Sequence, residues 1–324
     1  LYLLRHSAAH VLAEALLDVV SPKIKLTYGP PTDTGFFYDI WLPPGVSISS
    51  DAFAKVEERM RAIVAENRPF TRYDLPAPKA LARLVAEGNP FKVENALAAC
   101  AKGEHSITPI LMAMDTASGN GAAGGHGSGI GGSDSGKVIE ALAQMLAHEC
   151  GCDEACAEDP NSDACRECIE RCLEERFADC TLSFYATGEP SKNWEDLCRG
   201  PHVPSTGRIG AVKVMSLASS YWRGNENNNR LIRVYGTAFF KQKDLDEHLN
   251  RMEEAKKRDH RTIGKALRLF HIDEAVGQGL ILWTPKGSII RKELQTFIAA
   301  ELRKQGYTEV FTPHIGSLEL YKTS

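Results

Sequence analysis

No stretch of the 324 residues approaches 18 consecutive apolar positions, which excludes a conventional membrane-spanning helix. A secretory signal peptide is also lacking, so the expected location is the cytoplasm, with no membrane partner. There is no surplus of positive charge. The 38 Lys and Arg against 42 Asp and Glu leave a net charge of −4, so any nucleic-acid contact has to come from local basic patches rather than a global field. Cysteine is scarce outside one run, since seven of the nine lie between residues 150 and 180. What is present is ordinary for a globular protein, with 43% hydrophobic and 25% charged residues. The length suggests two or three domains with enough chain to bury real cores.

Two stretches carry the chemistry. Arg5-His6-Ser7-Ala8-Ala9-His10 and Asp196-Leu197-Cys198-Arg199-Gly200-Pro201-His202 each hold two soft or imidazole side chains at i and i+4. In a helix that spacing puts both members on one face, and two such helical pairs can converge on one pocket. Imidazole trades protons near neutrality and a neighbouring cation holds Cys as thiolate, so three His and one Cys suit hydrolysis or metal binding. Either pair alone is more often surface or core decoration than a site. Their weight comes from occurring together beside a Gly-Pro turn.

The flanks add more. After His202 come Val203-Pro204-Ser205-Thr206-Gly207-Arg208, Ser219-Ser220-Tyr221-Trp222-Arg223-Gly224, Arg233-Val234-Tyr235-Gly236-Thr237-Ala238-Phe239 and Lys256-Lys257-Arg258-Asp259-His260-Arg261. In these residues and their order, the sequence strongly resembles the threonyl-tRNA synthetase family over about residues 1–98 and 181–324. The resemblance implies an α+β fold. Residues 1–98 and 181–240 would form an editing domain of mixed antiparallel sheet and helices, followed by a linker helix over 241–270. Residues 271–324 would start a class II antiparallel-sheet catalytic domain.

In that family the two pairs mark the site that hydrolyses serine wrongly attached to threonine tRNA. The resemblance therefore implies His6, His10, Cys198 and His202 around the ester, with Lys92 and Asp196 nearby. Gly29, Pro30, Phe36, Tyr38 and Arg199 would contact the substrate. The same four His and Cys types bind zinc in the related alanine editing domains, whereas in threonine editing domains the resemblance favours a metal-free site. The helix and strand near the C-terminus resemble motif 1, which builds the homodimer interface. The family further implies tRNA(Thr), threonine and serine as substrates and partners, and ATP, Mg2+ and Zn2+ for the intact ligase at sites beyond Ser324. Both ends look cut, so the chain reads as a fragment that would not itself aminoacylate.

Apolar spacing predicts a helix over 5–20, ended by Ser21-Pro22. Strands are expected at 25–28 and 36–40 around the Gly- and Pro-rich loop 29–35. Helices follow at 51–67 and 78–87, the second closed by Gly88-Asn89-Pro90, after which Phe91-Lys92-Val93 reads as the start of a strand. Residues 212–217 and 231–235 read as strands joined through the Asn-rich turn 222–229. One long helix is expected from Lys243 to Phe270, and another from Ser288 to Gln305 before a strand at 307–313.

Residues 99–180 leave the family pattern. Ser118 to Gly136 holds nine Gly and four Ser in nineteen positions and reads as a linker, with a helix expected from Val138 to His148. Residues 149–175 carry ten carboxylates against two arginines. Within them Cys165, Cys168 and Cys172 fall on one side of a short helix, with Cys152 and Cys156 as a candidate facing pair. Zinc or an iron–sulfur cluster is one reading of that spacing; an unmetallated insertion or a disulfide is the other. Two further functional classes stand beside the ligase, a freestanding trans-editing deacylase and a non-catalytic RNA-binding relic. The motif 1 segment has no task in the first, and the intact His and Cys pairs speak against the second.

Overall fold

The structure is a computed structural model and describes residues 1–100, 171, 173–175 and 177–322. The Gly-rich stretch, the helix expected at 138–148 and the candidate ligands Cys152, Cys156, Cys165, Cys168 and Cys172 lie outside the described residues. The described chain divides into two compact units, Leu1–Asp246 and Glu247–Ser324. The architecture is α+β with antiparallel sheets.

In the first unit, α1 (Tyr2–Val19) buries Leu4, Ala8, Leu12, Ala15 and Leu16, the stripe expected of a 3.6-residue period. Ala9 and Ala13 are buried as well, and these small side chains let the helix lie close on the sheet. That sheet has the order β1-β2-β7-β6, from β1 (Lys25–Leu26), β2 (Phe36–Trp41), β6 (Ala211–Tyr221) and β7 (Arg230–Phe239). A register shift interrupts the β6–β7 pairing between Val214 and Ser216. Helix α2 (Phe53–Ala65) presents Val56, Met60 and Ile63 to the same core.

A second core lies beside the sheet β3-β4-β5, built from β3 (Phe70–Pro76), β4 (Thr181–Thr187) and β5 (Glu195–Leu197). Helices α3 (Ala77–Ala86) and α4 (Pro90–Cys100) cover it with Leu81, Leu84, Val93 and Leu97. Pairing of Pro76 with Thr181 means that the sheet brackets the inserted residues: the chain leaves from α4 and re-enters at β4.

Helix α4 corrects an expectation. Phe91-Lys92-Val93 is helical, not the start of a strand. Pro90 stands in the first turn, where its missing N–H costs nothing, and the Asn89 side chain accepts from Lys92 N–H at 3.4 Å. The Gly88-Asn89-Pro90 sequence therefore ends one helix and starts the next. The Asn89 amide also donates to the Leu26 carbonyl at 2.8 Å, tying α4 to β1.

The helix expected from Lys243 to Phe270 is two helices, α5 (Gln242–Lys257) and α6 (His260–Ala266). Asp259 breaks the run, because its carboxylate accepts from Arg261 N–H at 2.8 Å and so caps a new start. Phe270 opens a hairpin of β8 (Phe270–Ile272) and β9 (Ile281–Trp283). Helix α7 (Pro285–Lys304) follows, capped by the Thr284 hydroxyl. Residues 307–313 carry no strand, since a strand needs a ladder partner and none pairs with them among the described residues.

Candidate active site

His6 and His10 project from one side of α1. Cys198 and His202 come from the loop after β5, and that loop is not a helix. Gly200 sits in the left-handed region at φ 66°, and Gly200-Pro201 is a cis peptide. A Cβ at Gly200 would fall 2.4 Å from the Tyr185 hydroxyl, so both backbone shape and space call for glycine. The expectation of a second helical pair is thus corrected. The turn brings positions i and i+4 together, with Cys198 Sγ 3.3 Å from His202 Nε2. Cys198 Sγ also lies 3.4 Å from His6 Nε2, across 192 positions of sequence. One ligand atom from each of His6, His10, Cys198 and His202 falls within 4.8 Å of the others.

Hydrogen bonds fix the tautomers of two rings. His6 Nδ1 lies 3.2 Å from the Pro201 carbonyl, which only accepts, so this nitrogen carries the proton. Ser7 donates its single hydroxyl proton to the Leu3 carbonyl at 2.9 Å and accepts from Val203 N–H at 3.0 Å. His202 Nδ1, 3.1 Å from the same oxygen, must therefore be the donor in that contact. In both rings Nε2 is left as a lone pair aimed at Cys198 Sγ. A thiol has one proton, so the two acceptors cannot both be satisfied by it. Gly200 N–H donates to the same sulfur at 3.2 Å.

The cluster is uncharged at neutral pH. Burial pushes the pKa of His6 down, against the Pro201 contact and Asp196, which act upward. Burial also holds His10 well below the ordinary range, reinforced by His6 and Lys92. His202 is lowered by burial first, then by His10 and His6. Burial raises the Cys198 thiol to about 12, with the Gly200 N–H pulling down and Asp196 pushing up. Rings hold His202 in place: Phe70 stacks on it at 4.9 Å and His6 at 4.2 Å between centroids. Trp194 meets the edge of His10 at 5.3 Å.

Beside this neutral group lies a buried ion pair. Lys92 Nζ sits 2.9 Å from Asp196 Oδ1, and Tyr38 donates its hydroxyl to Asp196 Oδ2 at 2.5 Å. Burial and the Asp196 carboxylate push the Tyr38 phenol well above its usual range, so it stays a donor. Beside them lies a cleft of about 280 Å³ whose wall includes His6, His10, Lys92, Asp196, Cys198 and Arg199, whereas His202 and Tyr38 do not line it.

Gly29 and Pro30, named above as substrate contacts, line the cleft. A Cβ on Gly29 would fall 2.2 Å from the Tyr38 ring, so glycine lets this wall approach the sheet. Phe36 and Tyr38 are placed differently from the expectation. Phe36 is buried in the core beneath the sheet, and Tyr38 is buried with its hydroxyl on Asp196, because alternate residues of β2 point inward. Sequence reading misses Ser7, Trp194 and Phe70, which hold the imidazoles. Only Ser7 leaves a signal, its place between the two histidines.

The cluster lies in an α+β unit, between its first helix and the loop after β5. Residues 182–235 match the family described as the threonyl and alanyl tRNA synthetase second additional domain. Over the whole chain, similarity is to threonine–tRNA ligases. That of Halalkalibacterium halodurans is 35% identical over 325 residues, covering 100% of this chain and 38% of the relative. That of Acidobacterium capsulatum is 37% identical over 324 residues, covering 100% and 35%. That of Thermus thermophilus is 36% identical over 329 residues, covering 99% and 38%. The chain belongs to the threonyl-tRNA synthetase family, and it spans rather more than a third of the length of these relatives. No helix among the described residues is long and apolar enough to cross a membrane.

Proposed function

We propose that the cleft hydrolyses the ester of serine wrongly joined to tRNA(Thr), within a cytoplasmic ligase that joins threonine to tRNA(Thr) using ATP. In this reading residues 1–98 and 181–240 are the editing domain, 99–180 an insertion, 241–270 the linker, and 271–324 the start of the catalytic domain. Helix α7 and the residues after it are its motif 1 and take part in a homodimer. Mg2+ and Zn2+ serve the ligase site beyond this segment. Serine lacks one methyl of threonine, worth about 1–3 kcal/mol, which is too little for a single pocket to discriminate by binding. A second pocket is the remedy.

The observation that supports this reading is the meeting of four neutral proton carriers, three of which share the wall of one cleft with a fixed ammonium. Of the two Nε2 lone pairs facing Cys198, one is left free to accept a proton from water, and neutrality keeps it available. Lys92, held by Asp196, meets the oxyanion that develops on the ester carbonyl. Tyr38 acts through Asp196 as a positioning residue. The donor set also fits a divalent metal: His6, His10, Cys198 and His202 would hold it, and it would supply a bound water of lowered pKa. For the insertion, elemental analysis of the purified chain separates zinc or an iron–sulfur cluster held by its cysteines from an unmetallated insertion.

The test is clearance of serine from charged tRNA(Thr). His6→Ala and His202→Ala should each slow it about 100-fold or more. Clearance at the parental rate in both variants would sink the reading.

A further inference from the structure

Two sulfurs meet where the inserted residues leave and re-enter the fold. Cys100 ends α4 and Cys180 immediately precedes β4, with their Sγ atoms 2.7 Å apart. That separation exceeds a disulfide bond length by only about 0.7 Å. Neither cysteine sits on a loose tail. Cys180 N–H donates to the Phe177 carbonyl at 3.0 Å, and the Cys180 carbonyl accepts from Ala77 N–H at 2.8 Å where α3 begins. Both side chains pack on the core that holds Leu97, Leu182 and Phe184. Each is half-buried, which leaves one side open to a small reagent.

We propose that Cys100 and Cys180 form a thiol–disulfide pair, closed by exchange with a low-molecular-weight disulfide, which staples the end of α4 to the start of β4. The thiolate of one cysteine attacks a sulfur of the reagent and expels one reagent thiolate. The second cysteine, also as thiolate, attacks the mixed disulfide and expels the other. Two protein thiols thereby lose two electrons and two protons, and the reagent gains them as two thiols. Burial and the neighbouring Cys180 push the Cys100 thiol up, so exchange is slow at neutral pH and speeds up in mild alkali.

The position of the staple gives it a consequence. Helix α4 carries Lys92, and β4 pairs with β5 so that Tyr185 lies opposite Asp196. The Lys92–Asp196 ion pair and the cysteine pair therefore join the same helix to the same sheet at two places. Closing the bond removes the separation of α4 from β4 that would otherwise break that ion pair. It also closes a long loop, the case in which a cross-link restricts the unfolded chain most.

The whole 324-residue chain is treated with oxidised glutathione in mild alkali, alkylated and mapped by peptide mass. The expected product is a peptide joining Cys100 to Cys180, lighter than the two free peptides by two hydrogens and released by dithiothreitol. Its formation should protect the backbone amides of residues 95–100 against hydrogen exchange relative to the reduced chain. In C100S, Cys180 should remain open to alkylation and that protection should be lost, although serine keeps the fold. Recovery of both cysteines in alkylated form, while cysteines elsewhere have been oxidised, would overturn the pairing. So would a Cys180 joined instead to a cysteine of residues 150–172.

Discussion

Replacing Ser7 by alanine separates the roles that its hydroxyl plays. The oxygen receives two protons, from His202 Nδ1 at 3.1 Å and Val203 N–H at 3.0 Å, and sends one to the Leu3 carbonyl at 2.9 Å. Leu3 is the smallest loss, because that carbonyl already lies in a helix. The net loss of the bond to His202 is about 1 kcal/mol, and a buried Val203 N–H left without an acceptor adds about 1–3 kcal/mol. A destabilisation of about 2 kcal/mol is the conservative sum. For a unit of this size it lowers the melting midpoint by roughly 4–8 °C. The chemical effect is more specific. With Ser7 gone, nothing holds the proton on His202 Nδ1, and the ring can move it to Nε2, where it faces the Cys198 sulfur. A His202 protonated on Nε2 has no lone pair to offer toward Cys198 Sγ. Nitrogen-15 spectra of histidine-labelled protein distinguish the two forms. Parental protein should show His202 protonated on Nδ1, and Ser7→Ala should show a mixture together with slower removal of serine from tRNA(Thr). An Nε2-protonated His202 in the parental protein would refute the reasoning outright, whatever the stability change.

Two further outcomes follow from the electrostatics. His10 is kept from protonating in the folded chain, whereas in the unfolded chain it titrates near 6.5. Below that pH the unfolded state binds the extra proton, so stability falls as pH falls, by up to about 1.4 kcal/mol per pH unit for this ring. Urea midpoints measured from about pH 7.5 down to about 5.5, a window that brackets the unfolded titration, should show that loss, and His10→Gln should reduce it by the share of this ring while those of His6 and His202 stay; an unchanged slope would contradict the burial argument. Tyr38→Phe removes a hydrogen bond to a carboxylate, worth about 1.5–3 kcal/mol. It should slow deacylation in kcat more than in KM, since Tyr38 holds Asp196 and touches no substrate; a pure KM effect would place Tyr38 on the cleft wall instead.

Helices α1, α2 and α3 of the first unit are legible because their apolar stripes are regular. In α2, Val56, Met60 and Ile63 repeat at three and four, and all three are buried. Strand β2 is legible for a similar reason, but the direction of its side chains is not. Phe36 and Tyr38 belong to the inward set of a two-residue period, and nothing in Gly-Phe-Phe-Tyr-Asp says which set faces the cleft. Strand β3 escapes notice, because none of its residues is buried and Arg72, Asp74 and Pro76 are exposed. At Asn89-Pro90 the same two residues suit a stop and a start, and a reading that takes the stop turns α4 into a strand. At 307–313 the residues have the strand composition, yet composition cannot supply a partner for the backbone.

The site shows a sharper limit. Spacing i and i+4 in Cys198–His202 suggests a helix, and the two atoms do meet at 3.3 Å, but a turn through Gly200-Pro201 brings them together. Separation along the chain constrains distance without fixing conformation, so a correct contact is reached through a wrong element. The difference matters for chemistry. A helix would have directed the backbone N–H groups of residues 200 and 202 along its axis, toward the carbonyls four residues earlier. The turn instead sends the Gly200 N–H to the Cys198 sulfur and the Pro201 carbonyl to His6. That carbonyl is what sets the tautomer of a histidine 195 positions away. The proton placement of the site is thus written by backbone groups of one loop and by Ser7. A substitution that preserved His6, Cys198 and His202 while straightening residues 199–201 would keep every side chain named by the motifs and lose the arrangement of lone pairs that makes them a site.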